Sequence, residues 1–455
     1  MTLTLKMTDL LLFRTLVGKL SKPSEPPMVC FIPGSTGLKL AAFTKDATLV
    51  MSAFKQGFID PFAIQWDAVK ELTDKKMDVG VTFTPQKDST IHVEYAGGQR
   101  WYAIDKKVNT LPKTPSQTVT HSKRLVEAIQ LASRCTDSEN PRYAIGGICF
   151  RSEKSQIIST SGSQALVQDN FQFPWDSDVL CPTSRIFACK DLFKSAGTDE
   201  VLLGQVDGSI YFRFGTIELY LRSLDGRFPK VDQLLTPADG STYLNIHPTD
   251  AAFLIDRMDK LPGKKDSNSP IWLSTEDKIQ IRAFDKAHQT GMTLPLDYST
   301  FLGEPVSLSM NRAFLQNALR FGCLLIAVDP AGATPMICTD EGKTFICMTL
   351  DKNPMPEIEA ARMSVITSST QATVTTPAKV NAPVQVKHRR RVAATSSAAK
   401  PTGNTALLQT AEQIRQDLRN SLVQVNVLIK EVKAQRNQDR LLRNTMDSLR
   451  KLSLA

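Results

Sequence analysis

A chain of 455 residues is too long for one ordinary hydrophobic core and points to about three domains. Its 42% hydrophobic and 22% charged residues are typical of a globular protein, and no apolar run reaches the roughly 18 residues that span a bilayer, so a helical membrane protein is excluded. The net charge of +9 is unevenly placed: residues 366–455 carry +10 and residues 1–365 carry −1. A neutral body thus precedes a basic tail, either an attractor for nucleic acid or a solvated linker.

Along the chain, three segments open with the apolar spacing of an amphipathic helix: DLLLFRTLVGKL from Asp9, KRLVEAIQLASR from Lys123 and DAAFLIDRMDKL from Asp250. The first stretch contains Arg14 and Lys19 and reads as a helix, not as a signal peptide, so an intracellular protein is expected. Each helix precedes a hairpin pattern, such as Val29–Phe31 with Leu38–Leu40, Ile148–Phe150 with Gln156–Ile158, and Ile271–Leu273 with Ile279–Ile281. A second helix pattern follows from Ala63, Ser184 and Asn311, and a second set of strands closes each segment. The order helix, strands, helix, strands recurs three times, which predicts tandem α+β domains over 1–118, 119–243 and 244–352, each a sheet covered by two helices.

Beyond residue 363 the composition changes. Residues 364–404 hold no acidic residue and carry the cluster Lys387, His388, Arg389, Arg390 and Arg391. So few large apolar groups cannot offset the ordering entropy, and disorder is expected. From Ala411 through Leu449, apolar positions at three- and four-residue steps predict a coiled-coil helix over 405–452, with Gln435 and Asp439 as polar breaks. An amphipathic helix that folds back on the body is the alternative.

No motif for catalysis emerges. None of the five histidines has H-x-x-x-H spacing, and none of the eight cysteines forms C-x-x-C. Phosphate-loop and G-x-S-x-G patterns are missing as well. Neither a metal nor any other cofactor is expected, and the cysteines read as buried, reduced thiols.

The segment LRSLDGRFPKVDQLLTP at residues 221–237, the stretch PRYAIGGICF at 141–150 and the threefold order ending in TFICMTL together resemble the bacterial DNA polymerase sliding clamp, or β-subunit, family. The resemblance spans roughly residues 1–352 and lacks the tail. It implies half of a six-domain ring, closed as a head-to-tail homodimer around duplex DNA, with no reaction catalysed. It also implies DNA polymerase and clamp loader as partners, in a cytoplasmic, nucleoid-associated setting.

The family's partner-peptide pocket carries over as Ile145, Thr160, Gly162, Leu166, Pro237, Ile346 and Met348. Its T-D-G-H-R-L stretch aligns with Thr160-Ser161-Gly162-Ser163-Gln164-Ala165, so the charged rim is lost and altered partner choice is implied. DNA contacts would fall on Lys22, Lys123, Arg124, Tyr143, Arg185 and Arg312, with Lys387, Arg389, Arg390 and Arg391 of the tail touching DNA outside the hole. The dimer boundary would pair Trp101 and Ile104 with the region of Met258 and Leu261, although Trp101 could equally pack inside the first domain. A second reading is a clamp-fold scaffold that assembles through its coiled coil and binds nucleic acid through its tail.

Overall fold

The computed structural model describes residues 2–21, 24–34, 37–57, 59–73, 80–95, 98–137, 144–193, 199–285, 287–350 and 362–371, all within one compact unit. In the first repeat, β1 (Leu3–Lys6) runs into α1 (Met7–Leu20), followed by β2 (Met28–Pro33), β3 (Leu38–Phe43) and β4 (Ala47–Ala53). After a short β5 (Lys55–Gly57), the same order returns as β6 (Phe62–Gln65), α2 (Trp66–Leu72), β7 (Gly80–Pro85), β8 (Thr90–Tyr95) and β9 (Gly98–Ala103).

The second repeat comprises β10 (Thr118–Ser122), α3 (Arg124–Ala132), β11 (Gly147–Arg151), β12 (Gln156–Thr160), β13 (Gln164–Asp169) and β14 (Val179–Pro182). It ends with β15 (Glu200–Val206), β16 (Ser209–Phe214) and β17 (Ile217–Arg222). The third holds β18 (Thr242–Asn245), α4 (Pro248–Arg257), β19 (Pro270–Ser274), β20 (Gln280–Asp285), β21 (Thr290–Pro295) and β22 (Thr300–Leu302). Then come β23 (Ser307–Asn311), α5 (Arg312–Arg320), β24 (Leu325–Val328), β25 (Met336–Asp340), β26 (Lys343–Cys347) and β27 (Thr349–Leu350). A last strand and turn of helix, β28 (Met363–Val365) and α6 (Ser368–Gln371), follow.

Helix boundaries follow local chemistry. α5 starts where the Asn311 side chain accepts from the Ala313 amide at 2.9 Å, and α4 starts with Pro248 in its first turn behind the His247 cap. α3 buries Leu125, Val126, Ala128, Ile129 and Ala132, one continuous stripe. The helix expected from Ser184 is instead two 3-10 turns, Arg185–Ala188 and Lys190–Leu192, broken at an extended Cys189. An unbroken helix would turn Lys190 onto the face of Ile186. The break leaves Lys190 exposed while Ile186, Phe187 and Leu192 are buried.

In every repeat the two leading strands exchange halves: β1 pairs with β7 and β6 with β2, β10 with β15 and β14 with β11, β18 with β24 and β23 with β19. The exchange locks the halves of each repeat together. Repeats are then joined edge to edge by antiparallel strands. β4 pairs with β17 to make an eight-stranded sheet, and β13 pairs with β26 to make a nine-stranded one. At the ends of the chain lie a five-stranded sheet bounded by β9 and a six-stranded sheet bounded by β28.

One face of these sheets packs against the helices. The core between the first two repeats includes Phe13, Phe31, Phe62, Phe83, Phe150 and Phe212, and the third repeat has its own core around Leu254, Ile281 and Phe345. On the opposite face, the connecting segments supply the cover: Val108 and Leu111 between the first two repeats, and Phe228, Val231 and Leu235 between the second and third. All eight cysteines are buried and free, and burial pushes the Cys149 and Cys323 thiols up to about 12.

The tail departs from expectation at its start. Residues 363–365 form a strand and 368–371 a helical turn, although the composition predicts disorder from residue 364. Side-chain hydrogen bonds to the third repeat, detailed below, offset the ordering cost that composition alone leaves uncovered. The rest of the linker, including Lys387, Arg389, Arg390 and Arg391, and the heptads of 405–452 lie outside the described residues.

Candidate partner face and nucleic-acid interface

The joint between the second and third repeats holds a continuous apolar cluster that is buried, with Ala165 4% and Ile346 3% exposed. On β13, Ala165 and Val167 point to it, and their neighbours in register on β26 bring Ile346 opposite Ala165. Ile158, Ala327 and Ile337 extend it, and Phe228, Val231 and Leu235 of the connecting segment lie across one side. Leu166, expected here, points to the other side of the sheet and is fully buried in the third-repeat core, because alternate residues of a strand face opposite ways. Ala165 takes its place.

Thr160 and Gly162 shape the rim. The Thr160 hydroxyl donates to the Gln164 carbonyl at 2.7 Å and accepts from the Gly162 amide at 3.0 Å. Gly162 has φ +88, a conformation that favours glycine. The Gln164 carboxamide bridges the repeats, donating to the Arg134 carbonyl at 3.2 Å and accepting from Asn317 of α5 at 3.2 Å. Beyond Ile346, the Met348 amide donates to the Ser163 carbonyl at 2.9 Å and its side chain is 45% exposed. Ile145 is buried on the turn Ala144–Gly146, and Pro237 is half-buried two residues after Leu235.

The connecting segment is pinned by Asp232, which accepts from Arg151 at 2.7 and 2.9 Å and from Lys154 at 2.8 Å. Those hydrogen bonds, Arg151 first, hold the Asp232 carboxyl well below the usual carboxylate range. A folded pKa below the unfolded value of about 3.9 stabilises the protein above that value, and the gain is lost as pH falls through the folded one. We expect Asp232→Ala to cost about 1 kcal/mol at neutral pH and the cost to be flat from about pH 8 to 5. Below pH 4 it should shrink. Urea unfolding across that range checks it, and a cost that grows in acid would contradict the assignment.

The matching face between the first and second repeats is filled differently. There Tyr211 and Tyr220 pack with ring centroids 5.1 Å apart, and the Tyr220 hydroxyl donates to Glu218 at 2.9 Å. Both rings are nearly fully buried over Cys30, Ala41, Val50 and Ala63.

On the helix side, the basic residues have unequal surroundings. Lys123 is exposed, with its ammonium 3.5 Å from the Asp199 carboxylate. Arg124 donates to the Asp169 carbonyl at 2.8 Å, and its guanidinium sits 4.6 Å from the centre of the Phe171 ring, so it also braces the fold. Arg185 is exposed beside a hollow of about 440 Å³ that also includes Arg134 and Gln130. Acidic neighbours on α2 are neutralised within the chain, Asp67 by Lys70 and Glu71 by Arg100.

Arg312 is not a surface cation. It is 4% exposed and donates to the carbonyls of Ser269, Leu261 and Pro262 at 3.1, 2.8 and 2.5 Å. Its guanidinium stitches the loop before β19 to the start of α5. Lys22 and Tyr143 lie outside the described residues.

Of the residues expected at a subunit boundary, Trp101 is 58% exposed on β9 and lies tilted against His92 with ring centroids 4.5 Å apart, and Ile104 is half-buried against the first core. Met258 and Leu261 are 1% and 3% exposed, packed inside the third-repeat core, and offer no surface. The family resemblance put them at the boundary, but both follow α4, Met258 in a 3-10 turn and Leu261 in an extended conformation, and their side chains turn into the core. Among the described residues no group of His, Cys, Asp and Glu could hold a metal ion, and no helix is long and apolar enough to cross a membrane.

Three repeats of exchanged half-sheets, joined edge to edge with helices on one face, define the sliding-clamp fold. Solved bacterial clamps superpose over nearly their whole length. The DNA polymerase III β subunit of Pseudomonas aeruginosa is 14% identical with a TM-score of 0.64, covering 77% of this chain and 100% of its own. The β chain of Streptococcus pneumoniae gives 14% and 0.65, again over 77% and 100%. The DNA polymerase sliding clamp of Caulobacter crescentus gives 18% and 0.63 over 77% and 99%. By sequence, no family model matches the chain and no curated protein does.

Proposed function

We propose that this chain is a sliding clamp, two copies of which close head to tail around duplex DNA and hold a DNA-processing enzyme by an apolar peptide. The observation that carries the reading is the repeated joint. Within the chain, the free edge of one half-sheet meets the free edge of the next at β4–β17 and again at β13–β26. The counterparts of those edges at the ends of the series are β21, along which β28 lies, and β9, so a third joint of the same type would link β21 of one copy to β9 of another once β21 is bare. That joint would close the series. The protein then holds DNA topologically and catalyses no reaction, a polymerase is the partner it tethers, and an ATP-driven loader opens it.

On this reading Lys123 and Arg185 touch phosphates without reading bases, with Arg124 beside them. The exposed Met348 and Leu234, beside the buried Ala165–Ile346 cluster, would meet the apolar anchors of a partner peptide, with Met348 as the adaptable side chain.

The test is retention on circular plasmid in the presence of the loader, followed by linearisation. The wild-type protein should stay on the circle in high salt and leave the cut DNA. Release from both forms alike would sink the topological reading. Lys123→Glu with Arg185→Glu should lower the salt dependence of DNA binding by about two in log–log slope, one per lost phosphate contact.

A further inference from the structure

The edge of the third repeat that corresponds to β4 and β13 is not free. β28 lies along β21 in parallel, with Gly291 opposite Met363, Met292 opposite Ser364 and Thr293 opposite Val365. The seat is built to receive it. Gly291 leaves room for the Met363 thioether, since a β-carbon there would come within 2.2 Å of its sulfur. The Ile366 amide donates to the Thr293 carbonyl at 3.1 Å, and the Ser364 hydroxyl donates to the Gly291 carbonyl at 3.2 Å. Farther on, the Ser369 hydroxyl donates to Asp297 at 2.7 Å, and Ser368, 2% exposed, accepts from the Asp297 amide at 3.2 Å. Ile366 packs against the third-repeat core.

The backbone groups taken by this segment are those an incoming strand would need. β4 and β13 each use their outer edge to pair antiparallel with the next repeat, and β21 is their counterpart. Its Gly291 and Thr293 carbonyls are already occupied from the same chain. At the other end of the series, β9 bounds its sheet, most of its residues are exposed and Trp101 is more than half exposed.

We propose that residues 363–369 form a latch on the β21 edge, which keeps β21 from pairing with β9 of a second copy until the latch is displaced. The inference rests on the head-to-tail closure proposed above. Two strands cannot share one edge, so the latched fraction of molecules is incompetent for closure and the apparent affinity between copies falls by that fraction. The latch also protects an edge that would otherwise attract unrelated strands.

The experiment uses the full chain in three forms: wild type, a released form with Ser364→Pro and Ile366→Pro, and a locked form with Met292→Cys and Ser364→Cys. Proline at 366 removes the donor to Thr293, and the cysteine pair joins positions that lie opposite in register. The readout is deuterium uptake by the β9 amides as protein concentration rises, which senses the β9 joint whatever residues 405–452 do. In the released form, β9 should become protected at a concentration at least about tenfold lower than in the wild type. In the locked form it should stay unprotected until a reductant opens the disulfide. Protection at one common concentration in all three forms overturns the latch while leaving closure standing. If β9 is unprotected in every form, closure itself fails and the latch fails with it.

Discussion

Replacing Arg312 by alanine is expected to destabilise the third repeat by about 3–5 kcal/mol, while the molecules that remain folded bind DNA as before. The guanidinium is buried, and its removal strips the donors from the carbonyls of Leu261, Pro262 and Ser269 and leaves a cavity beneath α5. Arg312→Lys should recover only part of the loss, because one ammonium cannot reproduce the planar fork that reaches all three oxygens. Thermal unfolding together with DNA binding per folded molecule checks both halves. A stable Arg312→Ala protein that had lost DNA affinity would return the residue to the nucleic-acid face.

The second large effect concerns the partner face. Met348→Glu together with Leu234→Glu is expected to weaken an apolar-anchored partner peptide by about 30-fold or more and to leave the melting temperature close to that of the wild type. Met348 and Leu234 are 45% and 44% exposed, so neither charge must be buried in the free protein. Both border the Ala165–Ile346 face, Met348 by following Ile346 at two-residue spacing and Leu234 by preceding Leu235. Bound peptide would trap those carboxylates in an apolar seat, which is where the penalty arises. Calorimetry with a short leucine- and phenylalanine-containing peptide measures it. Undiminished binding would move the partner site elsewhere.

The sequence made the repeat legible because burial forces a period on each element. The stripe of α3 and the alternation along β15–β17 are visible as letters before any coordinates. The strands that lead into each helix were less visible. Leu3–Lys6, Thr118–Ser122 and Thr242–Asn245 are only four or five residues long, and what fixes them is pairing with strands far along the chain. At the joint of the second and third repeats Ile346 faces Ala165 on one side of the sheet while Leu166 faces the other, and a difference of one residue crosses the sheet. The inward turn of Arg312 had no sequence signal, since three carbonyl acceptors carry no letter. β28 was missed for the same reason: Gly291 and Asp297, which receive it, lie some seventy residues away.

The Tyr211–Tyr220 pair carries a consequence for stoichiometry. Among the described residues it fills the joint of the first two repeats with aromatic rings, whereas the joint of the second and third is bordered by the exposed Met348 and Leu234. A closed pair of the kind proposed would present that border twice. On that proposal two partners could ride one pair, and a third would have to wait for a departure.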